Sequence, residues 1–457
     1  MGDRLIVLGY LAVLLVVGLR GGSRIKNASD FTATGKQCST AVIFATLSAS
    51  FIGGGYSAGN AAAAYQQGIG TALALFGFGT GMLLIGKFLV PGVARFPRAK
   101  TVGGIIGAVY GGRARKATGV FSFLCCAGVV GAQMESIGLV LHTLLGVSKT
   151  VGILIGCSVV LVYTTFGGME SVLTADIIQF VLLAVGMPLL LIVAVTAGGG
   201  ASNVWHAIPR ELLNPLNGTT LPAFLSLFFS MMFGEALAPP YTQRLLIGKT
   251  PNETAKGTML SGLFSFPFFL VTAGIGLAAN VLHIGGEAAS IMPTLILHIL
   301  PAGLRGVLMA AMTSIILSAA DGFLNGAAVS LVCDTVLICR PRLSDKAQLR
   351  WLRCINLATG LAAMVLALCI PNVFSILLLS YSFWSPAVLI PLAAALLGVR
   401  TDERTFFLAA GVGIATCFAW NFLLKQPLGI DGAALGTFAN FIVFRARLRL
   451  AKKHLTR

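Results

Sequence analysis

Charged residues are scarce in this sequence, and acidic residues are the scarcest of them. Only 10% of the 457 residues are charged, with 15 aspartates and glutamates against 32 lysines and arginines. Hydrophobic residues make up 56% of the chain and the mean hydropathy is +0.90. This composition lies outside the range of soluble globular domains. It predicts an integral membrane protein with no separate soluble domain.

Metal-binding and catalytic motifs are also missing. The nine cysteines have no C-x-x-C spacing and the five histidines are scattered along the chain, which argues against a zinc or haem site. No H-E-x-x-H motif occurs. The letters of a G-x-S-x-G motif occur once, in "GYSAG" (Gly55 to Gly59), but no strand precedes them and no His–Asp pair is spaced to serve a nucleophile. We therefore expect neither an enzyme nor a bound cofactor.

Long apolar runs fill most of the chain. They predict about thirteen membrane-spanning helices, at 4–19, 40–67, 70–92, 119–146, 149–168, 171–197, 221–240, 257–283, 303–336, 352–370, 373–397, 405–424 and 428–444. The first run has the length of a signal peptide, but positive charge follows it at Arg20 and Arg24, and no A-x-A site is present. We interpret it as a retained helix.

The basic excess follows the connections between these runs. Most lysines and arginines, Arg244 among them, fall in loops that share one side of the membrane if the N-terminus is outside. The positive-inside rule then predicts an N-out and C-in arrangement. It also accounts for the net charge of +17 without a nucleic-acid partner.

Three glycines interrupt the second run, in "SASFIGGGYSAGN" (Ser48 to Asn60). A phosphate-binding loop is excluded, because no Gly-Lys-Ser/Thr follows. Close helix packing through small residues is one interpretation. The other is a broken helix whose freed carbonyls face a buried site.

A second interruption, "MMFGEALAPPYTQR", comes five spans later and contains Gly234, Pro239 and Pro240. Two breaks at this spacing predict a 5+5 inverted repeat. The predicted parts of this single membrane domain are an extra helix in 1–20, repeats in 38–200 and 220–400, extra helices in 401–445 and a basic cytoplasmic tail in 446–457.

Three stretches resemble motifs of one family. "YTTFGGMESVLTADIIQF" (Tyr163 to Phe180), "LSAADGFLNGAAVSLVCD" (Leu317 to Asp334) and "ASFIGGGYSAGNAAAAYQQG" (Ala49 to Gly68) are similar to those of the sodium/solute symporter family. The last two, with "PPYTQRLL", look most like the high-affinity choline transporter branch. The resemblance implies the leucine-transporter fold with flanking helices.

The resemblance also implies a sodium site. Its backbone carbonyls fall on Ala49, Ile52 and Ile315, and its two hydroxyls on Ser318 and Ala319. Alanine has no hydroxyl, and water cannot easily replace a ligand lost from a buried site. Sodium coupling is therefore expected to be weakened or replaced, unless Ser318 is only a small packing residue.

Four acids lie well inside predicted spans, where an unpaired carboxylate is costly. The resemblance implies that Asp176 supports the ion site or a neighbouring route. Asp321 matches the Asp of an S-T-A-D motif, with a structural hydrogen bond as the alternative. Glu135 has no counterpart in the family, and either a local hydrogen bond or a role is open. Glu235 lies at the second break, where it could balance an amine or carry the coupling proton.

Solute-binding residues are expected around both breaks. The candidates are Phe51, Gly53, Gly54, Tyr56, Glu235 and Tyr241, with core packing as the alternative for the aromatic ones. The choline branch has tryptophans at positions occupied here by Phe51, Ile137 and Ala238. Because choline recognition relies on aromatic cages, the substitutions favour a smaller or more hydrogen-bonding solute.

The leading hypothesis is a secondary active transporter that takes up a small polar organic solute with sodium by alternating access. The alternatives are a proton-coupled or uncoupled transporter of an amine or amino acid, and a transporter-like sensor. The expected partners are the solute, sodium or protons, and lipid. The expected location is the plasma or inner membrane, while the oligomeric state is not readable from the sequence.

Overall fold

Helices make up nearly all of the protein. The computed structural model describes residues 2–25, 27–32, 37–370 and 372–455. The main helices are α1 (Gly2–Arg24), α2 (Thr40–Phe51), α3 (Gly55–Gln67), α4 (Gly70–Arg95), α5 (Gly112–Leu145), α6 (Lys149–Met169), α7 (Val172–Ala197), α8 (Leu221–Gly234), α9 (Pro239–Leu246), α10 (Pro251–Val281), α11 (Leu304–Cys339), α12 (Asp345–Cys369), α13 (Val373–Leu396), α14 (Glu403–Leu423) and α15 (Gly432–Leu455). Shorter helices lie at Ala28–Thr32, Val102–Tyr110, Ala201–Ala207 and Ala288–Ile299.

The prediction of an all-helical multi-pass membrane protein is confirmed. Within the described ranges, ten helices are long and apolar enough to cross a bilayer, and twelve if each bent pair is one crossing. Helix α15, which contains most of the thirteenth predicted span, is not among them. A count of thirteen and the N-out orientation stay predictions. Helix α15 also continues through most of the predicted tail, whose residues 456 and 457 lie outside the described residues.

Polar residues mark where several of these helices begin. The side chains of Ser148, Thr220, Thr250 and Asp402 each accept a hydrogen bond from the backbone amide three residues later. Such caps satisfy amides that have no partner inside the helix. At Asp402, hydrogen bonds from Thr405 also lower the pKa of the carboxyl group, so the charged cap persists to lower pH.

The helices differ strongly in how deeply they are buried. In α5 and α11, 94% of the apolar stretch is buried within the protein, compared with 22% in α1 and 28% in α14. Helices α5 and α11 therefore form the centre of the bundle, and α1 and α14 lie at its edge. The bent pairs α2–α3 and α8–α9 turn by 67° and 47° at their breaks.

Candidate functional site

The first break lies between Phe51 and Gly55, as the glycine run predicted. The Gly53 amide donates to the carbonyl of Phe51 at 2.9 Å instead of that of Ala49, one helical turn back. None of the three glycines has a positive φ. They are needed for space, because a Cβ on Gly53 would lie 2.4 Å from the Gln133 amide oxygen. The helix is therefore broken here, and it also packs closely. That its freed carbonyls face a binding site stays a prediction.

Helix α5 fills the space that the glycines leave. The Gln133 side-chain oxygen accepts a hydrogen bond from the Gly54 amide at 2.7 Å. The Ser136 hydroxyl lies where a Cβ of Gly54 would be, only 2.0 Å from that position. These two side chains replace hydrogen-bonding and packing partners that a regular helix would have supplied from within.

The second break covers the residues between Gly234 and Pro239. Leu237 adopts a left-handed conformation with φ 55°, which is strained for a residue with a branched side chain. Its carbonyl accepts from the Thr242 hydroxyl at 2.6 Å, and the carbonyl of Ala236 accepts from the Trp384 indole at 2.9 Å. Side chains thus donate hydrogen bonds to carbonyls that have no partner within a helix, as expected for a buried irregular segment.

Glu235 lies at this break and is the centre of a tyrosine cluster. Tyr381 on α13 donates to one carboxylate oxygen at 2.7 Å, and Tyr241 on α9 donates to the other. Tyr56 on α3 lies 3.1 Å from the Tyr381 hydroxyl. Since the Tyr381 hydrogen is used on Glu235, Tyr56 is the donor in this last contact. The cluster links both broken helices to α13.

Aromatic rings surround the same cluster. The ring of Phe78 lies 4.5 Å from that of Phe51 and 5.4 Å from that of Tyr56, measured between centroids. Phe269 stacks on Tyr56 at 5.6 Å. The structure therefore brings four of the predicted solute residues together: Phe51, Tyr56, Glu235 and Tyr241.

The charge of Glu235 has no cationic partner. The residue is 2% exposed, and no lysine, arginine or histidine nitrogen of the described chain lies within 4.0 Å of its carboxylate. Hydrogen bonds from tyrosines stabilise a carboxylate but do not neutralise it. A buried carboxylate in this setting calls for a proton or a cationic ligand.

The predicted sodium ligands lie on two helices that contact each other. Ala49 lies in the last turn of α2 and Ile52 directly follows that helix. Ile315, Ser318 and Ala319 lie in the middle of α11, and all five residues are buried. The Ser318 hydroxyl donates to one oxygen of Asp176 at 2.6 Å, and Ser50 donates to the other at 3.5 Å. Because Ser318 uses its hydrogen on Asp176, the lone pairs of its oxygen are free to contact a cation. Carbonyl and hydroxyl oxygens are the ligands that a small hard cation prefers, and Ala319 has no side-chain oxygen to add. The sodium site itself stays a prediction.

The other two of the four acids singled out in the sequence have local partners. Asp321 accepts from the Tyr163 hydroxyl on α6 at 2.8 Å, which is the interhelical hydrogen bond considered for it. Glu135 pairs with Lys149 at the beginning of α6. Glu135 also lines a cavity, so the pair is not purely internal.

Arg244 departs from the sequence prediction. It was expected in a cytoplasmic loop, but it lies on α9 with a side chain that is fully buried. Its guanidinium forms an ion pair with Asp176 at 2.7 Å. The predicted span ending at 240 stops too early, because the second half of the broken helix follows Pro239 and extends to Leu246.

Two cavities open at opposite ends of α4. The first has a volume of about 460 Å³ and is lined by Thr71, Glu135, Ser136 and Phe374, among others. The second has a volume of about 890 Å³ and is lined by Arg95 and other basic residues. None of the six predicted solute residues lines either cavity. Ser136 separates the first cavity from Gly54.

Comparison with known proteins identifies the family. A sequence model of the Sodium:solute symporter family matches residues 31–413. This chain belongs to that family. Its relatives include solute carrier family 5 member 4A from mouse, which is 24% identical over 400 residues that cover 75% of this chain and 60% of that protein. The chain spans about six-tenths of the length of this protein and of its rat counterpart.

Two other relatives are covered more completely. The human high affinity choline transporter 1 is 24% identical over 404 residues, which cover 82% of this chain and 69% of that protein. The sodium/pantothenate symporter of Escherichia coli is 25% identical over 436 residues, covering 89% and 88%. Among solved structures, a Na+-coupled sialic acid symporter matches with a TM-score of 0.86 at 18% identity, over 98% of both chains. The leucine-transporter-like fold is thereby confirmed.

In this member of the symporter family, the sequence prediction did not include two residues of the site. Gln133 and Tyr381 lie in apolar runs far along the chain from their partners, Gly54 and Glu235. Gln133 carried a signal, since an amide deep inside a membrane span needs a partner. Nothing in the sequence pointed to Tyr381, because a tyrosine in an apolar run is also compatible with ordinary core packing.

Proposed function

We propose that this protein is a secondary active transporter that takes up a small organic amine together with sodium by alternating access. The proposal draws on the family, the fold and two broken helices that meet near the centre of the bundle. The observation that carries it is Glu235, a buried carboxylate that has no cationic partner among the described residues and is surrounded by aromatic rings.

The chemistry of this cluster favours a positively charged solute. An ammonium group would neutralise Glu235, and the faces of Phe51, Tyr56 and Phe78 would contact its carbon atoms or its charge. A sugar or a carboxylate would leave the charge of Glu235 unbalanced or would repel it. Access requires a rearrangement, because Tyr241 and Tyr381 occupy the carboxylate oxygens in this conformation.

Sodium is the proposed coupling ion. Carbonyls at the end of α2 and the Ser318 hydroxyl on α11 supply oxygens, and a cation between these helices would hold the first break against the centre of the bundle. Ala319 supplies no ligand. That absence favours a second candidate, in which Glu235 binds a proton and the proton drives transport.

The first experiment is thermal unfolding of the purified protein with a panel of amines, amino acids, sugars and carboxylates. Each solute is tested in sodium and in potassium. A ligand that binds only the folded state raises the melting temperature by mass action. We expect a cationic amine to raise it in sodium but not in potassium.

Other outcomes of this panel separate the alternatives. An amine shift that is independent of sodium but changes with pH would support proton coupling through Glu235. A shift with a sugar or a simple carboxylate, and none with any amine, would contradict the assignment of Glu235 as the counter-charge.

A further inference from the structure

The ion pair between Asp176 and Arg244 is the most unusual charged feature of the protein interior. Both side chains are fully buried, with 2.7 Å between a guanidinium nitrogen and a carboxylate oxygen. The guanidinium also donates to the carbonyl of Pro240 at 3.0 Å. Burying two charges costs several kcal/mol per ion before their attraction is counted, and an apolar pair could replace them at this depth. Stability alone therefore does not explain why the pair is buried here, and a functional role has to be considered.

Its position supplies one. Asp176 accepts from Ser318 through the carboxylate oxygen that Arg244 does not use, at 2.6 Å. Ser318 is the one proposed sodium ligand that contributes a side chain. The guanidinium of Arg244, the carboxylate of Asp176 and the hydroxyl of Ser318 thus form a continuous series that ends at the sodium site.

The two charges act on a bound cation in opposite directions. Asp176 attracts a sodium ion near Ser318, while Arg244 repels it and neutralises the carboxylate. An unpaired carboxylate at this place would bind sodium more tightly, whereas an unpaired guanidinium would weaken binding. A transported ion must bind well enough to enter the site and weakly enough to leave it.

We propose that the Asp176–Arg244 pair sets the sodium affinity of this protein, with Asp176 raising it and Arg244 lowering it. Arg244 is then a positioning residue, which acts on the ion through Asp176 and through its own charge. This inference rests on the proposed sodium site at Ala49, Ile52, Ile315 and Ser318. If the pair were purely structural, replacing either residue would weaken sodium binding. The proposed function instead predicts opposite effects of the two replacements.

The test measures sodium binding without any solute. The melting temperature of the purified protein is followed as sodium replaces potassium at constant ionic strength, which gives the sodium concentration for half of the stabilisation. We expect this concentration to fall about tenfold in Arg244→Gln and to rise about tenfold in Asp176→Asn. A change of this size corresponds to the removal of one unit charge within several ångströms of the ion at an intermediate effective dielectric constant. Arg244→Lys, which keeps the charge, should stay near the wild type.

A second arginine–aspartate pair, whose arginine is partly exposed, provides a control. Arg115 pairs with the buried Asp334 at 2.9 Å, close to the second cavity and to none of the proposed sodium ligands. Arg115→Gln removes a charge from an arginine–aspartate pair in the same protein. We expect it to leave the sodium dependence unchanged, so that a general effect of lost positive charge is excluded.

The double variant Asp176→Asn/Arg244→Gln keeps the test decisive if either single variant fails to fold. It removes both charges of the pair together, and we expect its sodium dependence to lie within a few-fold of the wild type. Loss of sodium stabilisation in the double variant, or weaker sodium binding in both single variants, would show that the pair is only a scaffold. If sodium does not stabilise the wild type at all, the proposed sodium site itself is wrong.

Discussion

The two broken helices are built in different ways. Between α2 and α3 the chain turns by 67° at glycines, none with a positive φ, and the side chains Gln133 and Ser136 of another helix fill the space. Between α8 and α9 it turns by 47° at Leu237, whose φ is 55°, and polar side chains satisfy the exposed carbonyls. The first break depends on glycines, which have no side chain. The second depends on polar side chains that hydrogen-bond its backbone.

This difference predicts how each break responds to mutation. The first should be sensitive to added atoms, because its glycines leave no room for a Cβ. The second should be sensitive to the removal of polar groups, since its carboxylate and carbonyls are buried and would lose partners. In our proposal the first break serves mainly the ion and the second mainly the solute.

The largest effect is expected at Gly54. A Cβ there would lie 2.0 Å from the Ser136 hydroxyl and 2.2 Å from the Ser136 Cβ. Replacing Gly54 with leucine should abolish solute uptake, because α3 can no longer approach α5, while the protein still inserts and folds. Uptake into proteoliposomes of the amine found in the thermal panel is the measurement.

A matched control for this substitution is Gly411→Leu. Gly411 lies within α14, where an added Cβ would meet nothing within 4 Å. Its uptake should equal that of the wild type. The milder variant Gly54→Ala should regain uptake when combined with Ser136→Gly, which removes the clashing side chain. Full activity of Gly54→Leu would refute the role given to the first break.

The second break is tested by Glu235→Gln. The amide keeps the shape of the side chain and removes its charge, so the affinity for a cationic amine should fall about ten- to a hundredfold, the range for losing a charged hydrogen bond. Sodium stabilisation measured without solute should stay unchanged. The thermal titrations that identified the solute give both values.

Glu135→Gln is the control, because Glu135 is also a buried glutamate but pairs with Lys149. It should change the amine affinity much less than Glu235→Gln does. Equal losses in both variants would mean that the effect comes from removing negative charge anywhere in the bundle, and Glu235 would no longer be assigned to the solute.

The fold was largely predictable because its signals are local. Apolar runs mark helices, the glycine run marks the first break, and Gly234 with the Pro239–Pro240 pair marks the second. The break residues also carried the resemblance to the family. These features can be recognised in the sequence because backbone conformation and burial in lipid depend on short stretches of residues.

The site was less predictable because its contacts join distant parts of the chain. Arg244 follows a polar stretch that looks like the beginning of a loop, and only its pairing with Asp176, 68 residues away in sequence, explains its burial. Tyr381 meets Glu235 across 146 residues. Residue type indicated that Glu235 and Asp176 needed partners, but only tertiary packing determines which ones.

The smallest predicted effect belongs to Ala319→Ser, which sharpens the division between the two breaks. A second hydroxyl beside Ser318 would add an oxygen ligand to the proposed ion site, and a net gain of about 1 kcal/mol corresponds to roughly fivefold tighter sodium binding. Affinity for the amine at saturating sodium should not change, because the hydrogen bonds to Glu235 come from Tyr241 on α9 and Tyr381 on α13, whereas Ala319 lies on α11. The sodium titration of melting temperature measures the first quantity and the amine titration the second. An unchanged sodium dependence would mean that position 319 does not face the ion. A change in amine affinity alone would contradict the assignment of the ion to the first break and of the solute to the second.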